Sequence, residues 1–251
     1  MTRVLLLAGT TEARRIAGAL VADGSFHVIA SLAGTTSSPV QIGHAMRTGG
    51  FGGAEGLANY IAGQRIDLLV DATHPFATRM KASAAAQSVP VLHVIRPAWD
   101  AQPGDRWHPV ADLPAAALAL PHESRAFLAL GRRHLTAFQA VQNQAKYVRS
   151  IEAAPVTPHD DRPARAGNGA FTFIQAPPGD AVAEQRMLHD LGITHLVCRN
   201  SGGPAGYGKI AAARALGLPV IMVVRPAPPS GNIVETAKMA VIWCRRLSKR
   251  G

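Results

Sequence analysis

The sequence predicts an α/β fold made of two Rossmann-like, parallel-sheet domains with the active site in the cleft between them. Three observations carry that reading. Short runs of Val, Leu and Ile alternate with longer Ala-rich amphipathic stretches, the pattern of parallel strands joined by crossover helices. The alternation breaks once, around Arg96-Pro97, and then restarts. Polar turns, several of them glycine-bearing, follow apolar runs directly, at strand ends where open α/β sheets place their ligands.

In order, strands are expected near Val4 to Ala8, Phe26 to Ser31, His44 to Thr48, Asp67 to Asp71 and Val89 to Ile95, with helices in most of the gaps. The stretch Ala98 to Asp105 is rich in turn residues and holds a Pro-Gly pair, so the linker is placed there. The expected domains are therefore 1–97, binding a nucleotide cofactor, and 98–251, binding substrate. Strands resume near Arg125 to Leu130, Lys146 to Ile151, Phe171 to Gln175, His195 to Arg199 and Val220 to Val224. Between two of them, Glu152 to Ala170 carries three prolines, two glycines and mixed charges without an apolar period. A loop of that length is uncommon unless functional or disordered, and a lid is expected, with Arg162 and Arg165 facing an anion. The two halves share architecture but no evident repeated sequence.

Bulk properties narrow the function classes. The chain has 251 residues, 47% hydrophobic and 17% charged, as in a folded globular protein. Its apolar runs reach about five residues, far short of the roughly 20 that a membrane helix needs. It opens on a strand-like run rather than a signal peptide, so a soluble, cytoplasmic protein is expected. Cys198 and Cys244 lack the paired spacing of a metal site and read as two reduced, buried thiols; no metal is expected. Lys and Arg outnumber Asp and Glu by 26 to 16, a formal charge of +10 that attracts anionic partners. With only 5% aromatic residues the chain lacks the stacking platform of a single-strand nucleic-acid binder, which leaves a small polyanion favoured. The basic run Arg245-Arg246 and Lys249-Arg250 reads as a solvated helix end, where positive charge suits the dipole.

The first strand runs into Gly9-Thr10-Thr11-Glu12, where an amphipathic helix begins. Such a turn aims helix N-terminal amides at a phosphate, with Gly9 admitting close backbone approach and Thr10 and Thr11 as added donors. Only one glycine of G-x-G-x-x-G is present, so a merely capped helix is the alternative, and Glu12 equally suits the helix dipole. An NAD site has a carboxylate at the end of the second strand. Here Ser31 stands there, followed by Thr35, Thr36 and Ser37, which favours NADP. After the fourth strand come Asp71, Thr73 and His74, the expected nicotinamide neighbourhood. His74, with an unperturbed pKa of about 6.5, suits proton supply, against a purely structural histidine; Asp71 equally suits a helix cap. In the second half, Gly131-Arg132-Arg133-His134 and the four-glycine loop Asn200 to Lys209 also follow strands. Backbone amides of such a loop can wrap an anion, and Arg132, Arg133 and Lys209 suit carboxylates. The plainer reading is of surface charges and turns.

Taken together, Leu-Ala-Gly-Thr-Thr-Glu-Ala-Arg, Gly49-Gly50-Phe51-Gly52-Gly53, Asp71 to Ala77, Gly131-Arg132 and Ser201-Gly202-Gly203 to Lys209 resemble the precorrin-6A reductase family over nearly the whole chain. The resemblance implies a two-domain enzyme of cobalamin biosynthesis that transfers hydride from NADPH to a carbon–carbon double bond of a tetrapyrrole, giving precorrin-6B. A macrocycle bearing acetate and propionate arms fits a basic protein. The nicotinamide carries the hydride chemistry, and the protein supplies orientation, electrostatics and water exclusion. The strand-end reading and the resemblance together assign Gly9, Thr10, Thr11, Glu12, Ser31, Asp71 and Thr73 to the cofactor, and Arg132, Arg133, Ser201, Gly202 and Lys209 to the polycarboxylate substrate or to the inter-domain cleft. His74 and Tyr207 are the candidate proton donors, with solvent as competitor. No nucleic-acid or membrane partner is implied, and the chain is expected as a monomer or small homo-oligomer. Two rival classes remain, a non-catalytic NADP-binding regulator and a basic nucleic-acid-binding module. The first leaves the second domain's polar strand ends unexplained, and the second leaves the cofactor turn so.

Overall fold

The computed structural model describes residues 1–33, 42–142, 145–150 and 171–249. It divides into two compact units, Met1–Pro97 with Pro226–Gly251, and Ala98–Arg225. The first contains β1 (Thr2–Leu7), α1 (Thr11–Asp23), β2 (Phe26–Leu32), β3 (Ala45–Thr48), α2 (Ala54–Gly63), β4 (Leu68–Asp71), α3 (Thr78–Ala85) and β5 (Val91–Val94). The second contains β6 (Arg106–Val110), α4 (Leu113–Leu118), β7 (Arg125–Ala129), β8 (Ala145–Ser150), β9 (Phe171–Gln175), α5 (Ala181–Asp190), β10 (His195–Arg199), α6 (Gly208–Ala215) and β11 (Pro219–Val223). β12 (Asn232–Val234) and α7 (Ala237–Ser248) then complete the first unit. Every strand expected from the sequence is present, displaced at most at its ends.

The first sheet has the order β12-β5-β4-β1-β2-β3 with all neighbours parallel. Burial on both faces explains the unbroken apolar run of β1. Val4 and Leu6 face one layer, where α1 contributes Ala13, Ile16, Ala17 and Leu20 and α7 contributes Ala240, Val241 and Cys244. Leu5 and Leu7 face the other, packing with Leu57 and Ile61 of α2 and Ala84 of α3. α1 starts where the Thr10 side chain accepts the Ala13 amide, and stops at Gly24, whose φ of 73° needs no Cβ. The second sheet has the order β6-β11-β10-β7-β8-β9, again parallel. Phe127, Leu196, Cys198, Val220 and Met222 pack there against Leu188 of α5 and Ile210 and Ala213 of α6. Both cysteines are buried free thiols, and burial pushes Cys198 up to about 11 and Cys244 up to about 12.

Three features differ from the sequence reading. Residues 226–251, expected within the second domain, return to the first: β12 pairs with β5, and α7 buries its apolar stripe beside α1. The edge strands β6 and β12 were not foreseen, because Arg-Trp-His-Pro-Val and Asn-Ile-Val are largely solvent-facing and lack an apolar run. An edge position tolerates Pro109, which cannot donate to a ladder. Finally, the stretch after Ala98 is not a loose linker. Trp99 is 7% exposed; its amide donates to Asn200 Oδ1 (2.8 Å), Asn200 Nδ2 donates back to its carbonyl (2.9 Å), and its indole donates to Gly203 O (2.7 Å).

Each sheet reads as a doubly wound order whose sixth place is filled from an unexpected end of the chain. The strand ahead of β7 closes the second sheet, and the strand after β11 closes the first. The order reverses between β1 and β4 in one unit and between β7 and β10 in the other. At such reversals a crevice opens outside the carboxyl ends of the strands, where ligands bind in this architecture.

Candidate active site

At the first reversal, the turn after β1 meets the turn after β4. Gly9 is exposed, with a φ of 146° that side chains rarely adopt. Thr10 ties the two turns: its hydroxyl donates to Ala72 O (2.7 Å) and accepts from the Ala13 amide (3.2 Å). A hydroxyl has one proton, so Thr10 spends on Ala72 the donor expected for the cofactor. The amides of Thr11 and Glu12 stand in the first helical turn, beyond the reach of intrahelical acceptors, and Thr11 is exposed. Glu12 pairs with Arg96 (2.9 Å), which offsets its charge beside the turn.

Asp71 requires a correction. It is fully buried, so its carboxylate is not open to a cofactor at the strand-end surface. Its carboxylate accepts from Lys81 Nζ (3.0 Å), His93 Nδ1 (2.8 Å), the Thr73 hydroxyl (2.6 Å) and the Thr73 amide (3.0 Å). Burial alone would push the Asp71 carboxyl up, but the His93 bond, the Lys81 charge and the Thr73 bonds together hold it at about 2. Asp71 thus shapes the turn that carries Thr73 and His74. Thr73 is half-buried and turned inward onto Asp71. His74 is half-buried, and its Nδ1 accepts from the Phe76 amide (3.3 Å), which leaves Nε2 to carry the proton of a neutral ring. Lys81 and His93 were missed by sequence reasoning. His93 sits on β5 directly opposite Asp71, a pairing visible only once the strand register is known.

Ser31, expected to meet the 2′-phosphate, is 5% exposed and instead accepts a hydrogen bond from Arg47 (2.8 Å). Thr35, Thr36 and Ser37 lie outside the described residues.

At the second reversal, Gly131 (φ 77°) turns the chain into a short 3-10 turn, Arg132–His134. Arg132 Nε donates to Ser150 Oγ (3.0 Å), its guanidinium lies 4.6 Å from the Phe173 ring, and its Nη2 is buried without a hydrogen-bond partner. Arg199 Nη1 lies 3.2 Å from His134 Nε2, and burial lowers the Arg199 pKa from its ordinary value. Arg225 donates to the carbonyls of Asn200 (2.8 Å) and Ser201 (2.9 Å), shaping the loop that presents Ser201 and buried Gly202. Lys209 donates to Gly206 O (2.6 Å) and lies 4.7 Å from the Trp99 ring. Arg132, Arg199, Arg225 and Lys209 all follow or end strands, so they share the carboxyl edge of this sheet and give it a positive field. Arg199 and Arg225 satisfy the same strand-end rule that singled out Arg132, and were overlooked. The Arg133 side chain and the lid expected over Glu152 to Ala170 lie outside the described residues.

Tyr207 is the second correction. Its hydroxyl accepts from Arg214 Nη2 (2.6 Å), and Arg214 in turn pairs with Asp105 (2.9 Å) just before β6. The ring stands 6.1 Å from that of Trp99, and its hydroxyl is engaged by Arg214 of α6. Among the described residues no group of three or more His, Cys, Asp or Glu side chains is placed to hold a metal ion. None of their helices is long and apolar enough to cross a membrane.

An exposed glycine turn ahead of α1 at one reversal and a basic edge at the other belong to a doubly wound, two-sheet α/β protein. A family model described as "Precorrin-6x reductase CbiJ/CobK" matches residues 3–245, and the chain belongs to that family. It is 41% identical to the precorrin-6A reductase of Rhodobacter capsulatus, over 97% of this chain and 96% of that protein. It is 38% identical to the precorrin-6A reductase of Rhodococcus erythropolis, over the whole of both chains. The solved structure titled "CobK precorrin-6A reductase" superposes with a TM-score of 0.86 at 38% identity, covering 98% of this chain and 97% of that one. Family membership makes the chain an oxidoreductase that takes a nicotinamide cofactor.

Proposed function

We propose that this chain is a precorrin-6A reductase, reducing a carbon–carbon double bond of the macrocycle with NADPH to give precorrin-6B in cobalamin biosynthesis. The observation that carries the reading is the pairing, within one chain, of the Gly9–Glu12 turn with the basic carboxyl edge of the second sheet. The turn fits a dinucleotide: open first-turn amides and the positive end of α1 suit a diphosphate, and Arg96 removes the repulsion that Glu12 would otherwise exert. When bound, the cofactor supplies the hydride.

The chain's own residues bind and orient. Asp71 and Thr10 fix the turn at Ala72 to His74 against the cofactor turn, while Arg132, Arg199 and Lys209 take carboxylate arms of the substrate, with Ser201 and Gly202 lining that edge. His74 Nε2–H, at the first reversal, relays rather than loses its proton: the neutral ring orients a solvent molecule that protonates the macrocycle carbon, in competition with unassisted protonation by solvent. Relatives named for precorrin-6A are 37–41% identical to this chain, whereas one named for cobalt-precorrin-6A, from Synechocystis, is 26% identical. That difference supports the cobalt-free substrate. A cytoplasmic monomer or small homo-oligomer suffices for such a reaction, without nucleic acid or membrane as partner.

Anaerobic mixing with precorrin-6A and NADPH should lower the absorbance at 340 nm in step with a change in the macrocycle's spectrum. Consumption of cobalt-precorrin-6A alone would reassign the substrate. No oxidation with either, together with tight NADPH binding, would favour the regulator, and DNA affinity falling steeply with salt would favour the nucleic-acid module.

A further inference from the structure

At the carboxyl edge of β2 and β3 sits a guanidinium fixed on several sides. Arg47 Nη1 donates to Ser31 Oγ (2.8 Å) and Gly49 O (3.0 Å), and Nη2 donates to Gly50 O (2.9 Å). Its Cζ lies 3.9 Å from the centre of the Phe51 ring and 5.1 Å from that of Tyr60. The two rings meet edge to face, 5.3 Å apart, and make an aromatic bed. The bed is clamped in turn: a Cβ added at Gly56 of α2 would stand 1.7 Å from the Phe51 carbonyl, so helix and Phe51 backbone are in direct contact.

The hydrogen bonds do not exhaust the side chain. A guanidinium has five N–H groups, and the bonds to Ser31, Gly49 and Gly50 leave one on Nε and one on Nη2. Those two nitrogens share an edge, the fork that matches two oxygens of a phosphate. No ion pair among the described residues involves Arg47. All three oxygens that hold it are neutral, so its positive charge is undiminished. In a doubly wound sheet the end of the second strand lies beside the adenosine ribose, where an acid reads the 2′-hydroxyl and an arginine accommodates a 2′-phosphate.

We propose that Arg47, seated by Ser31 and the Phe51–Tyr60 bed, receives the 2′-phosphate and sets the preference for NADPH over NADH. The assignment rests on the nicotinamide-cofactor reading above and adds its specificity residue. Ser31, nearly buried, acts through Arg47 and not by touching the phosphate. A guanidinium ordered before the ligand arrives loses little freedom on binding, so its charge contributes in full.

Isothermal titration of NADPH, NADH, 2′,5′-ADP and 5′-AMP into the wild-type and Arg47→Gln proteins tests the proposal without turnover. Loss of a bidentate charged contact should weaken NADPH and 2′,5′-ADP by roughly tenfold or more while NADH and 5′-AMP stay within about twofold. Arg47→Lys should restore part of the loss. If Arg47→Gln retains the wild-type preference, or weakens both dinucleotides equally, the assignment is overturned. A wild-type protein that binds neither dinucleotide instead removes the cofactor reading, leaving the Arg47 geometry unexplained. Should Arg47→Gln fail to fold, Ser31→Asp is the second variant. Its carboxylate would occupy the guanidinium, and NADPH should weaken selectively; unchanged preference there also overturns the proposal.

Discussion

Asp71→Asn is expected to destabilise the first unit by about 3–5 kcal/mol, because removing one partner of a buried ion pair strands the other. The stranded group is Lys81, 4% exposed, inside a sheet edge that offers its ammonium the Asp71 carboxylate at 3.0 Å and the Thr73 hydroxyl at 3.4 Å. Urea denaturation at pH 7 should show the loss as a lower midpoint, and Asp71→Asn combined with Lys81→Met should regain part of it. The acid limb has a defined sign. The Asp71 carboxyl is held at about 2, below its ordinary 3.8. Its contribution is therefore complete above pH 4 to 5 and disappears as pH falls through about 2. Wild type and variant should converge there; equal midpoints at neutral pH would refute the account.

Arg132→Ala and Lys209→Ala should each raise the Michaelis constant for the macrocycle roughly tenfold, through lost charge-assisted bonds, with NADPH affinity unchanged. If the two arms act independently, the double variant should lose roughly a hundredfold in kcat/KM. Turnover should fall along with affinity, since binding energy from remote carboxylates positions the reacting carbon. Arg132 also bonds Ser150 and stacks on Phe173, so thermal melts must accompany the kinetics. Normal macrocycle binding with lost NADPH binding in both variants would move these residues to the cofactor site.

Periodicity made the layered fold legible because buried parallel strands must be apolar throughout, as Val4 to Leu7 and Val220 to Val223 are. It failed at β6 and β12, whose exposed edge positions impose no such pattern. The path of residues 226–251 was hidden for a related reason: the apolar stripe of α7 says that it packs, but not against which unit. Strand-end position drew attention to Gly9, His74 and Arg132. What it cannot reveal is which way a side chain turns. Asp71 and Tyr207 also stand at or after strand ends, yet one points into the core towards Lys81 and His93 and the other engages Arg214 of α6. Arg47 had no motif to announce it, since its meaning comes from Ser31, a neighbour across the β2–β3 ladder.

The placement of β12 and α7 sets a clock on biosynthesis. A ribosome adding about 5–20 residues per second needs on the order of ten seconds to pass through the second unit before the last strand of the first one emerges. Throughout that interval the outer edge of β5 has no strand beside it, and Ile16 and Leu20 of α1 lack the cover of Val241 and Cys244. An open apolar edge of this kind is a template for pairing with other chains. The unit whose translation begins first therefore cannot complete its sheet or the cover of α1 until residues 226–251 have been made.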